Sequence, residues 1–74
     1  MLKYLVILTK SYSVAFWLAK SFKSGNDGVT RVTYGAANSS EDLIPPTYCD
    51  LGYFYCAVTY IESADVEPYR LVIA

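Results

Sequence analysis

The sequence predicts a single small α+β domain spanning residues 1–74, with a twisted antiparallel or mixed sheet of about four strands and one helix packed on one face. Three observations support this fold. The chain is 54% hydrophobic and only 18% charged, which places it well outside the disordered regime. Four short segments are rich in branched and aromatic residues, as strands are. One further segment carries the end signals of a helix, and the order reads β-α-β-loop-β-β.

The first half of the chain contains two predicted strands. Residues 2–9 (Leu-Lys-Tyr-Leu-Val-Ile-Leu-Thr) are apolar on both faces and too short for a convincing helix, which indicates a central strand. Residues 25–28 (Gly-Asn-Asp-Gly) are typical of a turn. Residues 29–34 then alternate between apolar and polar types, as a half-exposed strand does.

Residues 13–24 fit either an alternating strand or a helix, and their flanking residues favour the helix. Ser11 or Ser13 can cap its start, lysines occupy its last turn, and Gly25 follows. The predicted buried line consists of three larger residues with two alanines beside it: Val14, Leu18, Phe22, Ala15 and Ala19.

Trp17 lies opposite this line on the predicted helix. Because Phe16 is next to it, the helix would be apolar over most of its circumference, which suits burial on two sides. We therefore expect Trp17 to be a second core contact. The alternative is an anchor for a partner or for a second copy of the chain.

Residues 35–51 are predicted to be a long loop. The segment contains glycine, asparagine, two serines and two prolines, with room for one helical turn at residues 40–43 capped by Ser39 or Ser40. Pro45 and Pro46 should stop anything longer. Such a long excursion in a small domain indicates either a function or loose order.

The last third of the chain contains the strongest predicted strand, residues 53–62, whose even-numbered and odd-numbered side chains should point to opposite faces. Residues 63–65 are predicted to be a hairpin turn, from which residues 66–73 return as a strand. Pro68 near its start marks an edge or a bulge.

Charge is divided between the two halves of the sequence. Residues 1–40 hold five basic residues and one acidic residue, whereas residues 41–74 hold six acidic residues, one basic residue and five of the eight tyrosines. Acidic groups interleaved with tyrosine suit a recognition surface, although strands favour tyrosine for packing alone. The predicted partner-binding residues are Glu41, Asp42, Tyr48, Asp50, Tyr53, Tyr55, Glu62, Asp65 and Glu67.

One helix can cover only one face of the predicted sheet. An open second face bearing Tyr34, Tyr53 and Tyr55 would be a candidate docking surface. These tyrosines could instead pack across strands as ordinary cross-strand pairs.

The chemistry of the sequence argues against an enzyme. The chain has no histidine, and two cysteines cannot complete a tetrahedral zinc site, so no metal and no cofactor are expected. Cys49 has Asp50 as its nearest charged neighbour, which disfavours a reactive thiolate. We expect two free thiols, with Cys56 buried in a strand as a small hydrophobe.

The N-terminal apolar run resembles a signal peptide only in part. Lys10 interrupts it after about six residues, and Lys10 and Lys20 bracket too few apolar residues for a membrane span. We expect a soluble cytoplasmic protein with no membrane partner.

These observations favour a non-catalytic protein-binding module, an inhibitor or adaptor that meets a basic partner with its acidic, tyrosine-rich half. In size and character alone the chain is similar to small phage or mobile-element proteins that block host nucleases or CRISPR complexes. The alternatives are a homo-oligomeric structural protein and a nucleic-acid-binding regulator. The regulator would use Lys10, Lys20, Lys23 and Arg31, but the net charge of −1 argues against nucleic acid.

Overall fold

The computed structural model describes residues 2–25, 28–40, 42–61 and 67–74. It confirms the predicted class, a small α+β domain with a four-stranded mixed sheet and one helix packed against it. The elements in chain order are β1 (Leu2–Thr9), α1 (Tyr12–Gly25), β2 (Val29–Ala36), a 3-10 turn (Ala37–Ser39), α2 (Pro46–Cys49), β3 (Phe54–Ile61) and β4 (Tyr69–Ile73). In the described residues, no helix combines the length and the apolar character that crossing a membrane requires.

The strand order in the sheet is β2-β3-β1-β4. β1 and β3 form the central antiparallel pair, in register from Leu2 opposite Ile61 to Thr9 opposite Phe54. β2 lies antiparallel on the outer side of β3, and β4 lies parallel on the outer side of β1. β1 is therefore central, as its two apolar faces predict.

The prediction that residues 66–73 return as a hairpin partner of β3 is wrong. β1 and β2 occupy both edges of β3, and β4 pairs with the outer edge of β1. The Tyr4 amide of β1 donates a hydrogen bond of 2.8 Å to the Pro68 carbonyl, just ahead of β4. Pro68 does precede an edge strand, as predicted, and residues 63–65 lie outside the described residues.

α1 confirms the predicted helix, and Ser11 is its cap. The Ser11 hydroxyl oxygen accepts a hydrogen bond of 3.4 Å from the Val14 amide. The buried stripe is formed by two fully buried alanines and two partly buried larger residues, Ala15, Ala19, Leu18 and Phe22. Val14 is 39% exposed, so its predicted place on the buried line is wrong. The two alanines lie against the sheet, and this turns Val14 towards solvent.

The side chains of β3 alternate between the two faces of the sheet as predicted. On the side covered by α1, the helix face, Cys56 and Val58 are buried together with Ala19. On the opposite side, the second face, Tyr55 and Ala57 are buried in a separate cluster. The sheet therefore separates two small cores.

The second face is covered by residues 37–40 and 42–53, which form a layer of their own, the second-face layer. Ile44 at the centre of this segment is 1% exposed and packs on residues of the central strands. The other fully or partly buried members of this core are Val6, Leu8, Ala37, Tyr55, Ala57, Leu43, Tyr48, Cys49, Tyr53 and Leu71. The predicted long loop is thus a structural layer of the domain.

The helical turn in this layer differs from the prediction. The amides of Leu43 and Ile44 both donate to the Ser40 carbonyl at 3.1 Å in a simple turn, and the helical residues are Pro46–Cys49. Pro46 begins this helix instead of ending one, because the first helical residue has no intrahelical partner for an amide N–H. Gly52, at φ +76°, then leads the chain into β3.

Candidate protein-binding surfaces

Three predicted binding residues, Tyr48, Asp50 and Tyr53, meet at one end of the second-face layer. The rings of Tyr48 and Tyr53 are in edge-to-face contact, with centroids 5.9 Å apart. Asp50 is exposed in the turn between them. Lys10 reaches the same turn: its Nζ donates to the Leu51 carbonyl and lies 4.3 Å from the centre of the Tyr53 ring. A basic residue of the first half therefore enters the predicted acidic surface.

Asp42 and Tyr55 border a second location, a groove of about 330 Å³ on the second face. Arg31 also lines this groove, so its charge is mixed. The Tyr69 hydroxyl donates a hydrogen bond of 2.5 Å to the Leu43 carbonyl, which ties the covering segment to β4. Burial raises the pKa of the Tyr69 hydroxyl above its ordinary value.

The predicted open sheet face with Tyr34, Tyr53 and Tyr55 is wrong. Tyr34 belongs to the helix face, whereas Tyr53 and Tyr55 belong to the second face. Tyr55 is 8% exposed because the segment containing Ile44 covers this face. The three tyrosines therefore cannot form one surface.

The remaining predicted acidic residues add to neither the turn around Asp50 nor the groove bordered by Asp42. Glu67 is exposed beside Pro68, ahead of β4, and lines neither the groove nor the turn around Asp50. Glu41, Glu62 and Asp65 lie outside the described residues. Among the described residues, the acidic side chains are dispersed over three places.

The outer side of α1 presents an apolar surface, as the alternative for Trp17 predicted. Trp17 is 65% exposed, so the prediction that it packs in the core is wrong. Val14, three residues earlier and therefore adjacent on the helix, is also exposed, and so are Tyr12 and Phe16 on the flank nearer β2. We call these four residues the α1 surface. Trp17 is exposed because α1 has only one sheet face to pack against, and the alanines occupy it.

Aromatic contacts hold this helix in place. The Tyr34 ring of β2 lies 5.4 Å from Phe16 and 6.1 Å from Tyr12, and Tyr12 also contacts Phe54 at 5.5 Å. The pKa of Tyr12 is raised, first by the electrostatic influence of Tyr34 and then by desolvation. Trp17 thus projects from a helix whose first two turns are fixed to the sheet.

Basic side chains gather around the outer edge of β2. A groove of about 320 Å³ between α1 and β2 is lined by Phe16, Tyr34, Lys20 and Lys23. Lys20 Nζ lies 5.0 Å above the Phe16 ring. Lys23 also lines the next depression along β2, of about 340 Å³, together with Arg31. The fold therefore brings three of the four predicted basic residues together, while Lys10 lies apart.

The two cysteines lie on opposite sides of the sheet and are both free. Cys56 is fully buried, and burial raises its pKa from 9.0 to about 11, which keeps the thiol protonated and unreactive at neutral pH. The Cys49 thiol lies 3.6 Å from the carbonyl oxygens of Ile44 and Pro45. Within the described parts of the chain, no cluster of three acidic or thiol side chains could hold a metal ion.

No protein-family model, curated protein or solved structure matches this chain. A functional conclusion must therefore come from the chain's own surfaces and their chemistry.

Proposed function

We propose that this chain is a non-catalytic protein-binding module that acts as a small inhibitor or adaptor. The observation that carries the proposal is the 65% exposure of Trp17 on a rigid helix. Tryptophan buries a large area at small entropic cost, and it is enriched among the residues that dominate binding energy. The α1 surface is therefore the proposed anchor for the partner.

The acidic residues supply a second part of the proposal. Asp42, Asp50 and Glu67 are exposed, and exposed charges attract an oppositely charged partner over distances longer than direct contact. We propose a partner with a basic surface, such as the nucleic-acid groove of a host nuclease or a CRISPR complex. The acids would act mainly on the rate of association.

The non-catalytic part is supported by the available side chains. The chain has no histidine, and its buried thiol on Cys56 is held protonated. The groove between α1 and β2 has no carboxylate among its described lining residues, and the groove on the second face has one, Asp42, beside Arg31 and Ser40. This composition favours recognition over proton transfer or nucleophilic attack.

The test begins with capture of the partner by the tagged protein and its identification by mass spectrometry. Binding of that partner is then measured for the wild type, for Trp17→Ala and for Ser13→Ala, a polar exposed residue on the same helix. We expect Trp17→Ala to weaken binding by about 30-fold, mostly through faster dissociation, and Ser13→Ala to have little effect. Both variants should unfold at the wild-type temperature.

Two results would contradict the proposal. Equal affinity for the wild type and Trp17→Ala would remove the anchor from α1. Light scattering that shows a stable dimer lost in Trp17→Ala would assign the α1 surface to a second copy of the chain, and thus to a homo-oligomeric protein.

A further inference from the structure

The outer edge of β2 is unpaired among the described strands. β2 is the outermost strand on its side and β3 is its only strand partner among the described residues; at its end, the Ala36 carbonyl accepts a hydrogen bond of 2.6 Å from the Ser39 hydroxyl. Its register shifts between Val29 and Arg31, so the regular part of the edge runs over residues 31–36. An edge of this kind offers alternating amide and carbonyl groups to which an extended segment can be added as another strand.

The side chains around this edge are basic. Lys20 and Lys23 lie on its helix side, and Arg31 lies on the edge strand itself. No acidic side chain lines either of these two grooves among the described residues. Asp42 reaches only the groove on the second face. A segment that lies along β2 therefore meets mainly positive charge.

Apolar surface lies next to the same cations. Val32 and Tyr34 of β2 point to the helix face, where Phe16 packs against Tyr34. In an added strand, alternate side chains would point to this face and come close to Lys20 and Lys23. The remaining side chains would point to the second face, beside Arg31. A carboxylate of the added strand would thus lie near a cation on either face, and an apolar side chain would find apolar surface on the helix face.

We infer that the outer edge of β2 binds an extended acidic peptide segment of a partner protein as an added strand. Backbone hydrogen bonds to residues 31–36 would hold the segment, and its carboxylates would pair with Lys20, Lys23 and Arg31. This surface shares Phe16 with the α1 surface but does not include Trp17, so Trp17→Ala tests the proposed function without removing a residue of the β2 edge.

Charge favours this occupant over two others. A second copy paired through the same edge would bring a second set of the same three cations to this edge and add like-charge repulsion, with no described acidic side chain from the grooves beside it to offset them. Single-stranded nucleic acid could use the three cations, but it cannot complete the hydrogen-bond ladder of a strand edge. An acidic peptide satisfies both the ladder and the charges.

The probe is a ten-residue peptide of alternating glutamate and valine, titrated into the isotopically labelled full chain and followed by amide chemical shifts and amide exchange. We expect saturable shifts centred on residues 31–36, with slower exchange of the outward amides. The same peptide N-methylated at alternate residues keeps its charges but cannot form the ladder, and it should bind at least tenfold more weakly. The double variant Lys20→Glu with Lys23→Glu should weaken binding to a similar extent, whereas Arg70→Glu on the opposite edge strand should not.

Several outcomes would overturn the inference. Equal binding of the two peptides would show charge attraction without strand addition, and no binding would show that the edge does not accept the segment. Tighter binding of oligothymidine at the same amides would assign the edge to nucleic acid. Shifts at residues 31–36 that depend on protein concentration alone would assign it to a second copy. Trp17→Ala should bind the peptide as the wild type does, which keeps this test separate from that of the proposed function.

Discussion

Individual aromatic residues divide into those that build the fold and those that remain available. Tyr55 is almost fully buried, and Tyr69 uses its hydroxyl to fasten the second-face layer. Tyr34 is the ring against which Tyr12 packs. Trp17 has no such contact with the sheet and is the most exposed large apolar side chain of the described residues. These four tyrosines therefore have packing or hydrogen-bonding roles within the fold.

Cys56 provides a prediction at the scale of one residue. Its thiol has a pKa of about 11 in the folded protein and ionises near 9 when exposed. Because the folded state holds the proton more tightly, its contribution to stability is complete below pH 9 and is lost as the pH rises from 9 to about 11. The free energy of unfolding should fall over this range, less steeply in Cys56→Ala, as measured by denaturant titration at each pH.

The same variant tests the packing of the helix-face core. At pH 7, Cys56→Ala should cost about 1–2 kcal/mol through lost burial, and Cys49→Ala should cost much less because Cys49 is only partly buried. Alkylation of the native protein without reductant should modify Cys49 first. A disulfide-linked species would contradict the placement of the two thiols on opposite sides of the sheet.

At the scale of an element, α1 is defined by which of its positions face the sheet. Small residues occupy its most buried positions, Ala15 and Ala19. The buried stripe lies one position further along the helix than predicted, so Ala15 is buried where Val14 was expected. A helix with several apolar faces does not reveal from sequence which one lies against the sheet.

Two apolar-to-alanine changes test this stripe. Leu18→Ala should lower the free energy of unfolding by about 2–3 kcal/mol, because Leu18 packs in the helix-face core. Val14→Ala removes an exposed side chain and should cost less than about 0.5 kcal/mol. Chemical denaturation measures both. Equal losses would place Val14 against the sheet after all.

The second-face layer can be tested in the same way. Ile44→Ala should cost about 2–4 kcal/mol, because Ile44 is buried between the covering segment and the central strands. Leu51, in the same segment, is 51% exposed, and Leu51→Ala should leave the unfolding midpoint nearly unchanged. A small effect of Ile44→Ala would mean that this segment does not contribute to the core.

At the scale of the whole molecule, folding mixes charges that are separated in the sequence. β1 of the basic half is central, and Lys10, which follows it, reaches the turn that carries Asp50. Arg31 enters the groove that Asp42 borders. The basic groups that remain together are those around the β2 edge. The sequence suggests an acidic half, whereas among the described residues the acids are dispersed and the basic side chains gather at the edge of β2.

Steering by these dispersed acids predicts a rate effect. Reversing Asp42 and Asp50 together to lysine should slow association with the basic partner several-fold at low salt and leave dissociation nearly unchanged. Exposed charges are screened over about 10 Å at 0.1 M salt, so the difference should shrink as salt rises. Stopped-flow or surface-based kinetics at two salt concentrations measures both. An unchanged association rate would remove the acids from the proposed function.

The local elements could be predicted from the sequence alone. The two strands that prove central, the strand predicted at residues 29–34, the helix and the alternation along β3 all agree with the structure, and Ser11 is one of the two caps that were predicted. These features depend on residues within a few positions of one another, through periods of 2 and 3.6 residues and through end signals. The buried state of Cys56 follows from the same alternation.

Contacts between distant segments were decided only by the tertiary structure. β4 pairs with β1, since both edges of β3 are occupied by β1 and β2, and residues 37–40 and 42–53 cover the second face, whose apolar side chains need a partner. Each face of the sheet is covered by one layer. Tyr55 is buried because the second-face layer covers it, and Trp17 is exposed because it lies on the outer side of α1, the layer on the helix face. The candidate surfaces depend on contacts between residues that are far apart in the chain, and local sequence patterns do not predict such contacts.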